Sequence, residues 1–186
     1  MSTIIFTTPR LIIRTATLAD ADFLYQLWTN PAVMENVGFP QGLRTSREKI
    51  VTQIDNHGEP PFNQTLMACL KDGTTIGQCK MILPNDEGIA ATDVKLLPDY
   101  WGHNYGVEIK RGLLDHLFRK TDCLAVEATP NVKNIASIKM QEAVGGVRIG
   151  KGVFEFPEEM RNYTEPVPHY IYRVYRKDWN QKGLRN

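Results

Sequence analysis

Three residues that tolerate unusual backbone angles stand at every second position between a predicted strand and a predicted helix: Gly102, Asn104 and Gly106. Glycine has no side chain to restrict φ, and asparagine is among the few other residues that adopt left-handed backbone angles. Such a loop can turn several N–H groups toward one point, and the start of the helix adds unpaired N–H groups and a positive dipole end. This combination suits a pyrophosphate. A turn that merely connects strand to helix is the competing interpretation.

The loop does not match the common nucleotide-binding patterns. Its glycine spacing is not the dinucleotide fingerprint G-x-G-x-x-G, and the chain contains no GxxxxGK[ST] sequence. Neither a Rossmann domain nor a P-loop is therefore predicted.

Hydrophobic periodicity and turn signals predict the elements that position this loop. Capping boxes at residues 17–20 and 45–48 open two helices, and a loop rich in Pro and Gly over residues 30–44 joins them. Strands are predicted at 11–14, 65–70, 75–83, 89–97, 124–128, 147–154 and 170–175, and further helices at 106–120 and 134–144. Because a strand–helix–strand unit follows antiparallel strands, we expect an α/β (α+β) domain with a mixed sheet.

Composition excludes several classes of protein. The 186 residues are 42% hydrophobic, which argues against disorder, and 22 Lys and Arg balance 21 Asp and Glu. A net charge of +1 gives no electrostatic reason to expect a nucleic acid or an anionic membrane as partner. No run approaches the ~18 apolar residues of a membrane span, and the N-terminus lacks a signal peptide's basic region.

Cysteine and histidine usage indicates a reduced compartment and no metal. Cys69 and Cys79 fall on opposite faces of the predicted hairpin if position 66 faces 79 and position 69 faces 76, so they cannot form a disulfide. We expect these thiols and that of Cys123 to be buried and reduced in a cytoplasmic protein. His57, His116 and His169 lack metal-ligand spacing.

Residues 98–108 resemble the acetyl-CoA-binding signature of the GNAT N-acetyltransferases. In the RimJ/RimL-like branch, which acts on ribosomal proteins, this signature reads P-x-x-W/Q-G-K/R-G-Y/I-A/G-x-E. The chain matches it at Pro98, Trp101, Gly102, Tyr105, Gly106 and Glu108. It departs at His103, where Lys or Arg is usual, and at Asn104, where Gly is usual. Because Asn tolerates the left-handed region, we expect the loop to keep its shape.

Three further segments are similar to the same family. They are residues 8–14 (T-x-R-L-x-L-R), residues 134–146 (N-x-x-S-x-x-x-x-E-x-x-G-F) and the closing strand with its D/E-W tail at 170–179. The resemblance implies one GNAT domain over residues 8–179, with short tails at 1–7 and 180–186. It also implies a mostly antiparallel sheet of about seven strands, helices on both faces and a splayed central strand pair.

The resemblance implies how acetyl-CoA is held. The strand at 89–97 would splay from the strand at 124, so that free backbone at Leu96 and Leu97 pairs with the pantetheine arm and polarises the thioester carbonyl. Residues 103–107 would hold the pyrophosphate. The implied cofactor-binding residues are Leu96, Leu97, Trp101, Gly102, His103, Asn104, Tyr105, Gly106, Val107 and Asn134.

The resemblance implies the catalytic residues less directly than the cofactor-binding residues. Ser137 matches a serine proposed in the RimL-like branch to protonate the leaving sulfur, although a helix serine can also bond back to a carbonyl. Gln141 stands where other members carry a catalytic Tyr.

The sequence does not decide which group is the general base. Ala91 stands where members often carry a Glu, so Asp93 on the same strand face and Glu155 are the candidate bases. Either could be a surface carboxylate, and a chain of waters could replace them. A group of four acidic residues fits a cationic acceptor or a solvated loop: Glu155, Glu158, Glu159 and Glu165.

We therefore expect an acetyl-CoA-dependent N-acetyltransferase that acts on a primary amine, at a protein N-terminus or on a small molecule, without a metal. The acceptor pocket is expected from residues 30–44 and 155–168, and the protein is expected to be a monomer or homodimer. Two alternatives stay open. One is a non-catalytic acyl-CoA-binding sensor on the same fold, because the strand Glu and helix Tyr are missing; the other is an antibiotic-type amine acetyltransferase.

Overall fold

Eight strands form one sheet in the computed structural model, which describes residues 2–55 and 60–183. They are β1 (Ile4–Thr7), β2 (Leu11–Thr15), β3 (Thr65–Leu70), β4 (Thr75–Ile82), β5 (Ile89–Leu96), β6 (Ala125–Ala128), β7 (Val147–Phe154) and β8 (Val167–Tyr175). Their order in the sheet is β1-β2-β3-β4-β5-β6-β8-β7. Only β5 and β6 are parallel, and the other neighbours are antiparallel, which confirms the mixed sheet.

Helices cover both faces of this sheet. They are α1 (Ala21–Thr29), α2 (Pro31–Met34), α3 (Arg47–Asp55), α4 (Tyr105–Lys120), α5 (Ile135–Ala143) and α6 (Arg176–Gly183). The capping box at residues 17–20 is present, with the Thr17 N–H donating to Asp20 at 2.8 Å. Asn30 ends α1 as predicted, but its side chain accepts the Ala32 N–H at 2.9 Å and thereby caps the short helix α2.

The sheet begins at residue 4, four residues before the boundary expected at residue 8. β1 pairs with β2, and the Phe6 ring packs on Gly112 of α4, where an added Cβ would lie 2.3 Å from that ring. A small residue in the helix therefore makes room for the edge strand, and the sheet has eight strands rather than about seven.

The β3–β4 hairpin turns through three residues instead of two. Leu66 lies opposite Cys79 as predicted, but Cys69 lies opposite Thr75 because the register shifts at the turn. Gly73 has φ +93°, and the Leu70 N–H donates to the Thr74 carbonyl at 2.8 Å. This is the arrangement of a three-residue loop with a bulge. Cys69 and Cys79 nevertheless pack on opposite faces, as expected.

Each face of the sheet has its own apolar core. The face that carries α4 buries Ile13, Leu66, Cys79 and Met81 against Leu113, Leu114 and Leu117. On the opposite face, Met67 and Cys69 pack against Leu24 of α1 and Ile50 of α3. Strand alternation sends neighbouring residues of one strand to different cores. The same alternation decides which side chains of β5 reach which side of the molecule.

β5 and β6 separate in the middle of the sheet. They pair only where Ile89–Ala91 faces Ala125–Glu127, and beyond Ala91 no described strand continues along this edge of β5. The splayed central pair is therefore confirmed. The gap leaves the second half of β5 with an open edge that leads toward the start of α4.

Candidate active site

The loop between β5 and α4, residues 97–104, has the backbone that its composition predicts. Gly102 has φ +78°, and a Cβ placed there would meet nothing within 4 Å. Asn104 has φ +61° and ψ +15°, so asparagine keeps the left-handed conformation that glycine would give. The expected loop shape is confirmed.

Backbone N–H donors directly follow this loop, at the start of α4. Asn104 is the N-cap of the 16-residue helix α4, but its side chain makes no capping hydrogen bond. The Glu108 N–H is bonded to the Asn104 carbonyl at 3.2 Å, and the preceding N–H groups of Tyr105, Gly106 and Val107 have no acceptor among the described residues. Three donors at the positive end of a helix dipole form a place for an anion.

The N-terminal segment holds this loop in place through Glu108. The Glu108 carboxylate accepts the Thr8 hydroxyl at 2.6 Å and both the N–H and Nε of Arg10, at 2.9 and 2.6 Å. Arg10 also donates to the His103 carbonyl at 3.1 Å and lies over the Tyr105 ring at 4.5 Å. The ends of two separate motifs therefore form one contact cluster.

This cluster shifts the titration of Glu108. Burial by itself would raise the pKa of Glu108, but the hydrogen bonds from Thr8 and Arg10 outweigh it and lower that pKa. Glu108 is thus a carboxylate that fastens the loop. The sequence contained the signal, since Thr8, Arg10 and Glu108 all belong to matched positions, but their contact needed the fold.

Helix α5 packs beside the start of α4. A Cβ on Gly106 would lie 3.2 Å from the Met140 sulfur, so glycine at this position also permits close helix packing. The Asn134 side chain accepts the Ser137 N–H at 3.0 Å and caps α5. Ser137 is partly buried one turn before Met140, and its hydroxyl has no hydrogen-bond partner among the described residues. The bond back to a helix carbonyl is therefore not observed.

The open edge of β5 carries free backbone groups, but not at every expected position. The Leu97 N–H donates to the Ile76 carbonyl at 3.1 Å, and the Leu97 carbonyl accepts the Tyr100 N–H at 3.0 Å. The expectation of free backbone at Leu97 therefore does not hold, because Leu97 still belongs to the β4 ladder. The Leu96 carbonyl accepts the Trp101 indole N–H at 2.9 Å.

Hydrogen-bond alternation identifies the free groups on β5. In an antiparallel pair, residues alternate between groups directed at the partner and groups directed away from it. Since Leu97 bonds to β4, the even-numbered residues of β5 face β6, and the Ala91–Glu127 pairing engages the Thr92 N–H with β6. The free groups that face the gap are therefore the Thr92 carbonyl, both backbone groups of Val94 and the N–H of Leu96. The free edge is thus displaced toward the point where β5 and β6 separate.

A pocket of about 510 Å³ lies on the opposite face of β3–β5, beneath α1 and α3. We call it the sheet pocket. Its lining residues come from three strands, three helices and their connections: Trp28, Met34, Leu43, Thr52, Gln53, Asn63, Thr65, Gln78, Lys80, Asp93 and Lys95. Its size falls within the usual range for sites that bind small molecules.

Asp93 lies in the sheet pocket as an ion-paired carboxylate. The Lys95 ammonium contacts it directly, and the Gln78 amide donates to it at 3.4 Å. Burial by itself would raise the pKa of Asp93, but Lys95, Gln78 and the charge of Lys80 outweigh it and lower that pKa. Asp93 therefore holds a proton poorly at neutral pH.

Other candidates lie away from the sheet pocket. Glu155 is exposed, and no described residue of 155–168 lines the pocket. That segment instead packs on the 30–44 loop, with the Phe39 and Phe156 rings 5.1 Å apart and the Glu165 N–H donating to Gly38 at 2.9 Å. Only Met34 and Leu43 of the two expected segments line the pocket. Strand side chains supply its polar part, which the sequence interpretation missed.

A buried lysine lies below β5 on the face that carries α4. Lys110 is 1% exposed, and its ammonium donates to the Thr92 hydroxyl. Burial lowers the pKa of Lys110 to about 7, although the negative charge of Asp93 acts in the opposite direction. The helical spacing of Lys110 from Val107 and Leu114 places it on the apolar face of α4. This spacing is the sequence signal that could have predicted a buried lysine.

The histidines and the helices add two findings. No group of three or more His, Cys, Asp or Glu side chains within residues 2–55 and 60–183 could hold a metal ion. His116 packs against the Phe6 and Phe62 rings, His169 lies in β8, and His57 is outside the described residues. None of the helices in the described part is both long and apolar enough to cross a membrane.

Comparisons with known proteins agree with this architecture. The model of the acetyltransferase (GNAT) domain family matches residues 10–147. The uncharacterized N-acetyltransferase p20 of Bacillus licheniformis is 26% identical over 136 residues, which cover 72% of this chain and 76% of that protein.

Two solved structures from Vibrio cholerae share the fold. Spermidine N-acetyltransferase in complex with CoA and spermine superposes with a TM-score of 0.76 at 17% identity, covering 92% of this chain and 99% of that one. A candidate ribosomal-protein-serine acetyltransferase superposes with a TM-score of 0.70 at 16% identity, covering 93% and 99%. At such identities the likeness concerns the fold alone. The family match, which covers most of the chain and both sides of the splayed strand pair, shows that this protein belongs to the GNAT acetyltransferase domain family.

Proposed function

We propose that this protein transfers the acetyl group of acetyl-CoA to a primary amine, at a protein N-terminus or on a small molecule. The observation that carries the proposal is the set of free backbone groups on β5, from the Thr92 carbonyl through Val94 to the Leu96 N–H, together with the unpaired N–H groups in the first turn of α4. A pantetheine arm can add to a strand edge as a peptide does, and the helix N-terminus suits a pyrophosphate. GNAT proteins use acetyl-CoA, so the two halves of this surface fit the two halves of that molecule.

The direction in which acetyl-CoA would lie on this surface decides where its thioester is. If the pyrophosphate lies at residues 103–107, the pantetheine runs back along β5, and the thioester lies near Val94. The Val94 N–H, which faces the gap, would then polarise the thioester carbonyl. The amine nitrogen attacks the carbonyl carbon, the C–S bond breaks, and the amine loses a proton while the thiolate gains one.

Ser137 is the proposed proton donor to the departing sulfur. Its hydroxyl makes no bond within the described residues, and it lies on the first turn of α5, next to the start of α4. Asn134 supports this position by capping the helix, and its amide NH₂ is left to bond the pantetheine. Both roles rest on the match to the family's N-x-x-S segment together with this placement.

In this proposal a weak base accepts the proton that the amine loses. Asp93 is ion-paired with a lowered pKa, and Glu155 is exposed and outside the sheet pocket. We therefore assign deprotonation to water, with Asp93 and Glu155 as the first carboxylates to change. An α-amine suits this chemistry better than a lysine side chain, because more of it is neutral at pH 7.

Two finer assignments belong to the same proposal. The RimJ/RimL-like branch is proposed from the four sequence segments, whereas the related structures include both spermidine and ribosomal-protein enzymes by name. A cytoplasmic location is proposed because Cys69, Cys79 and Cys123 are all buried and unpaired, as is usual where thiols stay reduced.

Acetyl-CoA binding tests the cofactor assignment. Acetyl-CoA at 100 times its dissociation constant should stabilise the fold by about 2.7 kcal/mol in thermal unfolding. Asn104→Asp adds a negative charge beside the phosphates at a position whose left-handed backbone Asp also tolerates. We expect it to lose most of the stabilisation, and Asn104→Gly to keep it. No shift at millimolar acetyl-CoA, or an equal shift in both variants, would contradict the assignment.

Turnover separates the enzyme from the sensor alternative. Thiol release from acetyl-CoA is measured with a panel of N-terminal peptides, small amines and aminoglycoside-type amines. We expect amine-dependent release above the rate of spontaneous hydrolysis, with the acetylated amine identified by mass. Tight binding without amine-dependent release would instead support the sensor.

A further inference from the structure

We infer that the acceptor carries an acidic group close to its amine, and that Lys80 and Lys95 in the sheet pocket bind that group. The inference rests on the proposed function, since it names the class of acceptor for the same site. The chemical class is a primary amine that also bears a carboxylate, such as an amino acid or a peptide with an acidic residue near its N-terminus.

The charge of the sheet pocket is the first argument. Of its described lining residues, Lys80, Lys95 and Asp93 are the charged ones, which gives two positive groups and one negative group. Asp93 is already bonded by Lys95 and Gln78. The pocket therefore has a net positive charge, and its one carboxylate has little capacity left for a cationic ligand.

The position of Lys80 is the second argument. Lys80 lies directly opposite Asp93 across the β4–β5 pair and is partly buried. Its ammonium makes no salt bridge or hydrogen bond with any residue of the described part of the chain, and Lys80 lines the pocket, so its ammonium donors have no described acceptor there. For a charged group that is partly removed from water, contact with a group of opposite charge that accepts hydrogen bonds lowers the free energy.

The rigid surroundings of the lysines are the third argument. The Trp28 indole N–H donates to the Gln78 side chain at 2.8 Å, and Gln78 in turn donates to Asp93. Lys95 is only 15% exposed and is oriented by the same carboxylate. This chain of bonds runs from α1 across two strands and fixes the Lys95 ammonium before a ligand enters, which lowers the cost of binding.

The positive pocket also helps the reaction. A nearby positive charge disfavours an ammonium ion, so the acceptor's amine loses its proton more easily there. This compensates for the absence of a strong base at Ala91. A polyamine, which gains nothing from Lys80 and Lys95 and is repelled by them, should be a poor acceptor, in contrast to the spermidine enzyme that shares the fold.

Matched acceptors test the inference. We compare acetylation of Ala-Asp-amide, Ala-Asn-amide and Ala-Lys-amide, with spermidine and free aspartate as further arms. The dipeptides share one α-amine and differ in a single group. We expect kcat/KM to be about tenfold higher for the acidic dipeptide than for its neutral isostere, which corresponds to one charge-assisted contact. Free aspartate distinguishes a small-molecule acceptor from a peptide N-terminus.

Variants show whether the two lysines cause the preference. Lys80→Gln and Lys95→Gln should each remove most of the acidic preference, while Lys71→Gln makes the same charge change at the exposed β3–β4 turn and should preserve it. Equal or better use of the neutral dipeptide or of spermidine would overturn the inference. So would an acidic preference that survives both pocket variants.

A binding measurement keeps the two proposals apart. Trp28 lines the sheet pocket, so its fluorescence reports occupancy by N-acetyl-Ala-Asp-amide without any reaction. Binding that depends on Lys80 without turnover of any amine would refute the acetyltransferase proposal and leave the anion site. Turnover with no acidic preference and no Lys80-dependent binding would refute the anion site alone.

Discussion

The candidate anion site at the 97–104 loop and the start of α4 is built from backbone groups, whereas the sheet pocket is built from side chains. In the loop, Gly102 and Asn104 adopt left-handed angles and leave the first N–H groups of α4 unpaired. In the pocket, Trp28, Gln78, Asp93, Lys95 and Lys80 come from a helix and two strands. A backbone site depends on which residues permit an angle, and these cluster within a few positions. A side-chain site depends on which strands become neighbours, so its residues scatter along the chain.

Ser137 lies on the first turn of α5, beside the start of α4, and carries the largest expected effect. Ser137→Ala should lower the transfer rate ~10²–10⁴-fold, because a general acid acts on the sulfur only in the transition state. Acetyl-CoA affinity should stay within twofold, and Ser137→Thr should recover part of the rate. The measurement is single-turnover transfer alongside calorimetric binding. An unchanged rate would show that Ser137 has only a structural role and would leave water as the acid.

The amine's own pKa sets the next largest effect, on the pocket side. An α-amine with a pKa of about 7.8 is neutral roughly 10²–10³ times more often at pH 7 than a lysine amine at about 10.4. Since the pocket holds no described carboxylate with a raised pKa, we expect α-amine acceptors to be preferred by about that factor. The rate should rise from pH 6 to pH 8. Efficient lysine acetylation with a flat profile below pH 7 would reveal a strong base, and Asp93→Ala and Glu155→Ala would then locate it.

Lys110 lies on the α4 face of β5, opposite the sheet pocket. Its substitution tests how much a buried cation between the two regions costs in stability. Its pKa in the folded protein, about 7, is below its unfolded value, so the folded state binds fewer protons between these two values, and stability rises with pH across that range. Lys110→Met should therefore raise the free energy of unfolding at pH 6 by a few kcal/mol and much less at pH 10. Urea unfolding at both pH values measures this. Lys49→Met, on the exposed face of α3, should change stability by less than about 0.5 kcal/mol at either pH.

Glu108 gives the smallest expected effect and shows that even the backbone site needs side chains to fix it. Its pKa is lowered in the folded state, so its contribution is present above the unfolded pKa and is lost as the pH falls through the folded pKa. Glu108→Gln should cost about 1–2 kcal/mol at pH 7 and progressively less below pH 4. Glu87→Gln, at the exposed β4–β5 turn, serves as the control. A pH-independent loss would mean that packing rather than charge holds the loop.

The local backbone around the proposed cofactor site could be predicted from the sequence. Gly102, Asn104 and the start of α4 act through φ preferences and dipole direction, which a few adjacent residues determine. Strand alternation and capping signals likewise placed most elements within one or two residues, because these are short-range effects. The splayed pair and the GNAT family followed from resemblance, and the structure and the family match confirm both.

Tertiary structure alone decided the rest, because each remaining feature joins residues far apart in the chain. Alternation put Gln78 with Lys80, and Asp93 with Lys95, on one face of their strands, but only the β4–β5 register set Lys80 against Asp93. The contact of Arg10 with Glu108 spans 98 residues. The Leu97 N–H donates to the Ile76 carbonyl because hydrogen bonding to β4 continues past the last residue of β5, and this contact depends on how the two strands pair. Local preferences define which conformations a segment can adopt, and only packing defines what each side chain meets.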